Sequence, residues 1–390
     1  MEYTKLKNIN RYISESVNPM KTPYTIYEMY SVPIYETGHP EFLRGDEIGS
    51  NKVSVQKDDI LLCKINPRIN RVWVVADESD YPSIASSEWI VIRTPEYNPS
   101  FLAWYFKSPK FKQLMVSEVT GIGGSLTRAQ PKAVAEYPVP ILPMEEQNEI
   151  AIILDKAANI ILSRKQQLSA LDDLIKARFV EMFGTPFDTS NWVIKELKDV
   201  SESMVDGSNV NPSYYETTGE VLFLRIQNVW RNELRLDDSV YITSEINRAY
   251  YYDTSLKKGD LLITKIGRYY TKDSSLGRVS VYLGEDDCAN YSNNIMRVRL
   301  KDSVNSEFVN ALLNLDEYQS FIKRTSKGGT DKRALSKSLI GSYPIIIPPM
   351  NLQYKFIDFV KQVDKSKSVI QKSLDETQLL FDSLMQKYFG

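Results

Sequence analysis

The sequence predicts two copies of a mixed α/β (α+β) globular domain, joined by two long α-helices forming an antiparallel coiled coil, with an internal pseudo-two-fold repeat. Three observations predict it. The 390 residues are too many for one ordinary domain. Landmarks recur in the same order about two hundred residues apart. Within each copy, short β-branched and aromatic runs give way to a long stretch whose apolar residues return every three or four positions.

The repeat can be followed along the chain. Val55-Gln-Lys-Asp-Asp-Ile-Leu-Leu-Cys-Lys-Ile65 returns 201 positions later as Leu256-Lys-Lys-Gly-Asp-Leu-Leu-Ile-Thr-Lys-Ile266. Gly123-Gly124-Ser-Leu-Thr-Arg128 returns as Gly328-Gly329-Thr-Asp-Lys-Arg333 after 205 positions. Tyr137-Pro-Val-Pro-Ile-Leu-Pro-Met-Glu-Glu-Gln147 returns as Tyr343-Pro-Ile-Ile-Ile-Pro-Pro-Met-Asn-Leu-Gln353 after 206, the spacing that also relates Phe183-Gly184 to Phe389-Gly390. Lys5-Leu-Lys-Asn-Ile9 and Glu196-Leu-Lys-Asp-Val200 are only 191 apart, so the second copy carries insertions, most of them before Leu256. The expected boundaries are globular domains over 1–144 and 185–350, with helices over 145–184 and 351–390.

Ile60–Ile65, Val72–Val75, Trp89–Ile92, Leu261–Thr264 and Val279–Leu283 read as strands, being apolar runs bounded by turn residues. Phe101–Val119 and Ser306–Lys323 read as helices. Glu145–Met182 and Leu352–Tyr388 contain neither proline nor glycine. Alternating steps of four and three give Ile150, Leu154, Ala157, Ile161, Arg164, Leu168, Leu171, Ile175, Arg178 and Met182 in the first. The second gives Phe356, Val360, Val363, Lys367, Ile370, Leu374, Thr377, Phe381, Leu384 and Tyr388. Eight of ten are apolar in each set, the pattern of a coiled-coil seam, in which Arg164 and Lys367 are expected to help fix register.

Pro143 and Pro348-Pro349 end the preceding segments, Glu145, Glu146 and Glu149 suit the positive end of a helix, and Gly184 and Pro186 stop the first one. A single amphipathic helix is ordinarily a packed surface helix. Two register-matched seams favour mutual pairing. A helix over 145–182 is about 57 Å long, and domain termini tend to lie close together. The expected arrangement is an antiparallel hairpin whose connection is an entire domain, with one globular unit at each end of a rod.

Composition excludes several classes. Hydrophobic residues make up 42% and charged residues 25%, ordinary for a globular protein and unlike disorder. Lys plus Arg number 48 against 50 Asp plus Glu, so no global basic excess advertises nucleic acid. Two cysteines, Cys63 and Cys288, cannot build a disulfide framework or a four-cysteine zinc site. His39 stands alone, so mechanisms needing two histidines are out. The opening MEYTKLKNINRY lacks the apolar core of a signal peptide, and no run of 18 apolar residues occurs, so a cytoplasmic protein without a membrane partner is expected.

Two globular units, each closing with a Gly-Gly loop, a Tyr-Pro-x-x-x-x-Pro-Met-x-x-Gln segment and a long helix ending in Phe-Gly, resemble the specificity subunit of Type I restriction–modification systems. The resemblance covers essentially the whole chain, although the shorter first unit departs from the second in its early region. It implies that the globular units are target recognition domains, each reading one half of a split double-stranded DNA sequence, and that the helices are conserved spacer regions. It implies partners: two modification (methyltransferase) subunits that methylate adenine with S-adenosylmethionine, and restriction (motor–nuclease) subunits. S-adenosylmethionine, ATP and Mg are then expected on the partners, with no cofactor, metal or catalytic residue on this chain.

Phosphate binding depends on local charge. From Gln319 to Ile340, Lys323, Arg324, Lys327, Lys332, Arg333 and Lys337 are opposed only by Asp331. The first copy has Lys107, Lys110, Lys112, Arg128 and Lys132 against Glu118. Both runs surround the glycine pairs Gly123-Gly124 and Gly328-Gly329, where missing side chains let backbone amides approach a phosphate. A plain turn with solvated lysines explains one such loop; recurrence and the resemblance favour DNA. A second candidate segment follows the Asp-Leu-Leu strand, with Lys64, Asn66, Arg68, Asn70 and Arg71 in one copy and Lys265, Arg268, Tyr269, Tyr270 and Lys272 in the other. Arg and Asn carry the bidentate groups that read guanine and adenine, and a variable hairpin loop is the alternative.

The enzymatic reading is weak. No Gly-x-x-x-x-Gly-Lys-Ser/Thr loop occurs, and Asn66-Pro67-Arg68 and Asn211-Pro212-Ser213 only approach the adenine-methylase pattern. The competing reading is a coiled-coil adaptor with two protein-binding globular ends.

Overall fold

The computed structural model describes residues 2–76, 78–117, 119–120, 127–187, 191–271 and 273–390. The chain forms two compact units, Met1–Gln166 with Ile370–Gly390, and Gln167–Val369.

Both units are built around the same apolar strand. In the first, Ile60–Cys63 lies between Val72–Val74 and Trp89–Ile92, all antiparallel, with Leu61 opposite Trp73 and Val91. In the second, Leu261–Thr264 lies between Val279–Val281 and Ile295–Leu300, and Ser201–Asp206 adds a fourth strand beside Ile295–Leu300. Every residue of the two central strands is buried. A strand covered on both faces reads as an unbroken apolar run rather than an alternating one.

Just before each central strand stands a buried carboxylate, Asp59 or Asp260. Asp59 accepts the Gln56 backbone N–H at 2.9 Å and a two-pronged grip from Arg93, at 2.7 and 2.6 Å. Asp260 accepts the Lys257 N–H at 2.7 Å and the same grip from Arg299, at 2.8 and 2.7 Å. These hydrogen bonds raise both arginines above their ordinary pKa. The pair explains why Asp recurs in an otherwise apolar repeat, since a buried charge needs a partner.

The segments expected as single helices are each two. In the first unit they are α1, Pro99–Lys107, and α2, Pro109–Ser117. Ser108 between them is extended (φ −63°, ψ 149°) because a residue preceding proline is pushed out of the helical region. The Tyr-Pro landmark then forms a strand, Pro138–Ile141, paired with Glu2–Lys5. It leads into α3, Met144–Phe183, which contributes to both units. In the second unit, α4 (Ser306–Asn314) and α5 (Asp316–Thr325) are separated by an extended Leu315. Pro344–Ile347 pairs with Val193–Glu196 and leads into α6, Met350–Phe389.

The glutamine of each Pro-Met-x-x-Gln landmark is buried and acts as a staple. Gln147 donates to the Leu142 carbonyl and accepts the Asn98 N–H, both at 2.9 Å. Gln353 donates to Pro348 at 2.7 Å and accepts from Asn305 at 2.9 Å. Asn98 and Asn305 cap α1 and α4 through the N–H groups of Phe101 and Phe308. Each staple joins the start of a long helix to the cap of a globular one.

All ten seam positions of each long helix are buried or half-buried. In the first unit Ile150, Leu154, Met385 and Phe389 share a core with Phe101 and Tyr105. In the second, Phe179 packs on Phe356, Arg178 lies over Phe359, and Lys367 meets Asp172 at 2.7 Å. Rising numbers on α3 meet falling numbers on α6, so the helices run antiparallel there. Among the described residues, no helix is long and apolar enough to cross a membrane.

Candidate nucleic-acid interface

The two candidate segments of each copy, more than fifty residues apart in sequence, meet in the fold. In the second unit, Ile266–Arg268 pairs antiparallel with Lys332–Ala334, which also pairs with Lys327–Gly328. Leu335 extends the contact by donating its N–H to the Lys265 carbonyl at 2.8 Å. The first unit repeats that bond from Ala129 to Lys64 at 2.8 Å, adds Asn66 N–H to Thr127 at 2.9 Å, and bridges Ile65 with Arg128. In both units the joined segments continue from the C-terminal end of the central strand.

Residues directly opposite in an antiparallel pair share a face. Arg268 stands opposite Lys332, and Ile266 and Lys327 both stand opposite Ala334. All five are exposed, so this small sheet shows solvent a face bearing Arg268, Lys327 and Lys332. Asp331 lies 3.7 Å from Arg268. Arg333, opposite Gly267 and Gly328 on the other face, is half-buried with its guanidinium 5.0 Å from the Tyr269 ring centre. Tyr270 is exposed beside it.

The glycine pair divides. Gly328 (φ +143°) is required by its own hairpin, because a Cβ there would meet the Lys332 carbonyl oxygen at 2.5 Å. A Cβ on Gly329 would meet nothing within 4 Å. Gly123, Gly124 and Lys272 lie outside the described residues.

Several other candidates are already engaged. Lys265 (side chain 17% exposed) meets Asp206 at 2.6 Å, and Lys64 donates to the Ser87 carbonyl at 2.6 Å. Arg128 pairs with Glu88 at 3.0 Å. Arg71, also 17% exposed, lies 4.0 Å from Glu36. Arg68 is exposed in the 3-10 turn Pro67–Ile69, which is flanked by left-handed Asn66 (φ +47°) and Asn70 (φ +54°). Lys132 is exposed and has no ion pair among the described residues. Counting charges along the chain thus overstated the basic character of the first copy, since the neutralising carboxylates come from distant segments.

Sequence reasoning missed a second-copy cluster beside this sheet, Trp230 with Arg235 and Arg278, whose guanidinium carbons lie 3.8 and 3.7 Å from the indole centre. Trp230 and Arg235 fall in the inserted region, where no comparison between copies could flag them. Among the described residues, no group of three or more His, Cys, Asp or Glu is placed to hold a metal ion.

A family model, Type I restriction modification DNA specificity domain, matches residues 6–172 and again 189–377. The chain is 20% identical over 306 residues to the Type I restriction enzyme StySPI specificity subunit of Salmonella potsdam, covering 74% of this chain. It is 21% identical over 304 residues to the EcoKI specificity subunit of Escherichia coli K12, covering 73%. Each match spans 63% of the relative's own length. The fold is similar to the crystal structure of a Type-I restriction-modification system S subunit from M. genitalium, with a TM-score of 0.57 at 13% identity over 100% of this chain and 96% of that one. With the domain matched twice over most of its length, the chain belongs to the Type I restriction modification DNA specificity domain family.

Proposed function

We propose that this chain is the noncatalytic DNA-specificity subunit of a Type I restriction–modification complex in the cytoplasm. Each copy reads one half of a bipartite duplex target. Modification subunits then methylate adenine with S-adenosylmethionine, and restriction subunits use ATP and Mg, so that cofactors reside on the partners.

The observation that supports this reading is the joining of two distant segments into one surface at the end of the central strand in both units, with Arg268, Lys327 and Lys332 exposed together in the second. Lysines of this kind neutralise phosphates, and arginine on a rigid strand reads base edges. Scaffolded variable loops are where recognition residues concentrate.

Methylome sequencing of a host expressing this chain with its modification subunit tests the proposal. One split adenine motif is expected. Absence of a new motif, together with duplex binding that ignores salt concentration, would refute it and favour the protein-binding adaptor.

A further inference from the structure

We propose that Arg278, stacked on Trp230, is a positioning residue that fixes the loop that follows Arg268 and carries Tyr269 and Tyr270, and so sets base discrimination by the second copy alone. This rests on the function proposed above.

Arg278 is 7% exposed, with Asp273 as the carboxylate near enough to favour its charge. Its hydrogen bonds go to loop carbonyls. Nε donates to Ser274 at 3.0 Å and Nη2 to Asp273 at 2.5 Å, while Nη1 lies 3.5 Å from the Val229 carbonyl. The next carbonyl, Ser275, accepts from the Thr264 hydroxyl on the central strand. Three consecutive loop carbonyls, groups that water ordinarily solvates in a loop, are therefore held by core side chains.

The guanidinium is itself fixed. Arg235 and Arg278 both lie within 4 Å of the Trp230 ring centre. Two groups that close cannot share one face without clashing, so the indole is sandwiched, and its N–H is tied to the Gln227 carbonyl at 2.9 Å. Burial, with Arg231 and Arg235 nearby, pulls Arg278 below its ordinary pKa. A buried cation needs compensating partners, and here they are the loop carbonyls and the indole face. Gly277 (φ +71°) completes the base. A Cβ there would meet Ile322 of α5 at 2.4 Å, and the Gly277 carbonyl accepts from Gln319 at 2.8 Å.

The first copy holds its loop differently, through left-handed Asn66 and Asn70 and a bond from the Asn70 side chain to the Phe106 carbonyl at 3.1 Å. Loss of the Arg278 clamp therefore touches one half of a bipartite target, and the other half serves as an internal control.

The test selects duplexes from a random-sequence pool with the full chain, co-expressed with its modification subunit. Arg278→Ala and Trp230→Leu should reduce discrimination about tenfold at the bases of one half, leaving the other half unchanged; Arg278→Ala should also lower the thermal melt, because it strands buried carbonyls. Arg278→Lys should not rescue, because a point charge cannot span the carbonyls a fork does. Trp230→Phe should rescue, since it keeps an aromatic face. Undiminished discrimination in both halves, or equal loss in both, overturns the inference. If Arg278→Ala fails to fold, the Trp230→Leu and Trp230→Phe pair decides on the same readout. A wild type that enriches no sequence overturns the proposed function itself.

Discussion

Arg299 grips Asp260 through two hydrogen bonds, Nε to Oδ1 at 2.8 Å and Nη2 to Oδ2 at 2.7 Å. Arg93 holds Asp59 in the same geometry in the other copy. Removing one member of a buried pair leaves the other charge uncompensated. Asp260→Ala should therefore cost about 3 kcal/mol, and Asp59→Ala a similar amount. Urea unfolding of the full chain checks this; losses below about 1 kcal/mol in both variants would show the grips to be incidental.

The buried glutamines make a graded prediction. Gln353→Ala loses one donor and one acceptor contact and should cost about 2 kcal/mol. Gln353→Glu keeps the acceptor but brings a buried carboxylate against the Pro348 carbonyl, so it should be the worse of the two at neutral pH. Thermal melts rank them, and the reverse order would rule out the staple.

The ends of the long helices predict a contrast. Phe389 is buried against Phe101 and Tyr105, with ring centres 5.6 and 5.7 Å apart. Phe389→Ala should cost about 3–5 kcal/mol through the cavity it leaves. Leu379 on the same helix is 71% exposed, and Leu379→Ala should change stability by less than about 0.5 kcal/mol. Denaturant midpoints compared side by side test the pair.

On the exposed sheet face, lysine and arginine should behave differently. Replacing both Lys327 and Lys332 by alanine should weaken specific and nonspecific duplex binding alike and lower the salt slope by about 2. Arg268→Ala should cost about 1–3 kcal/mol on the selected sequence, with much less effect on unrelated DNA. Binding titrations across a salt series separate these effects. Equal losses for Arg268→Ala on both DNAs would mean that it touches only phosphate.

The duplication, the central strands and the long helices were legible because each is a periodic or repeated signal, and buried apolar faces impose their period on sequence. The single helices expected over Phe101–Val119 and Ser306–Lys323 were not. Pro109 carried the information for the first break, but no proline or glycine marks Leu315; two residues before it, the Leu313 carbonyl is taken up by Gln319 at 2.8 Å.

By itself, the sequence determined that there are two related domains and two long amphipathic helices, because burial of an apolar face depends mainly on residues a few positions apart. Only the tertiary structure decided which cations face solvent. Lys265 meets Asp206, Arg128 meets Glu88, and Arg278 turns inward to loop carbonyls. Charge acts through space over a few ångströms, and partners that close in the fold can lie tens of residues apart along the chain.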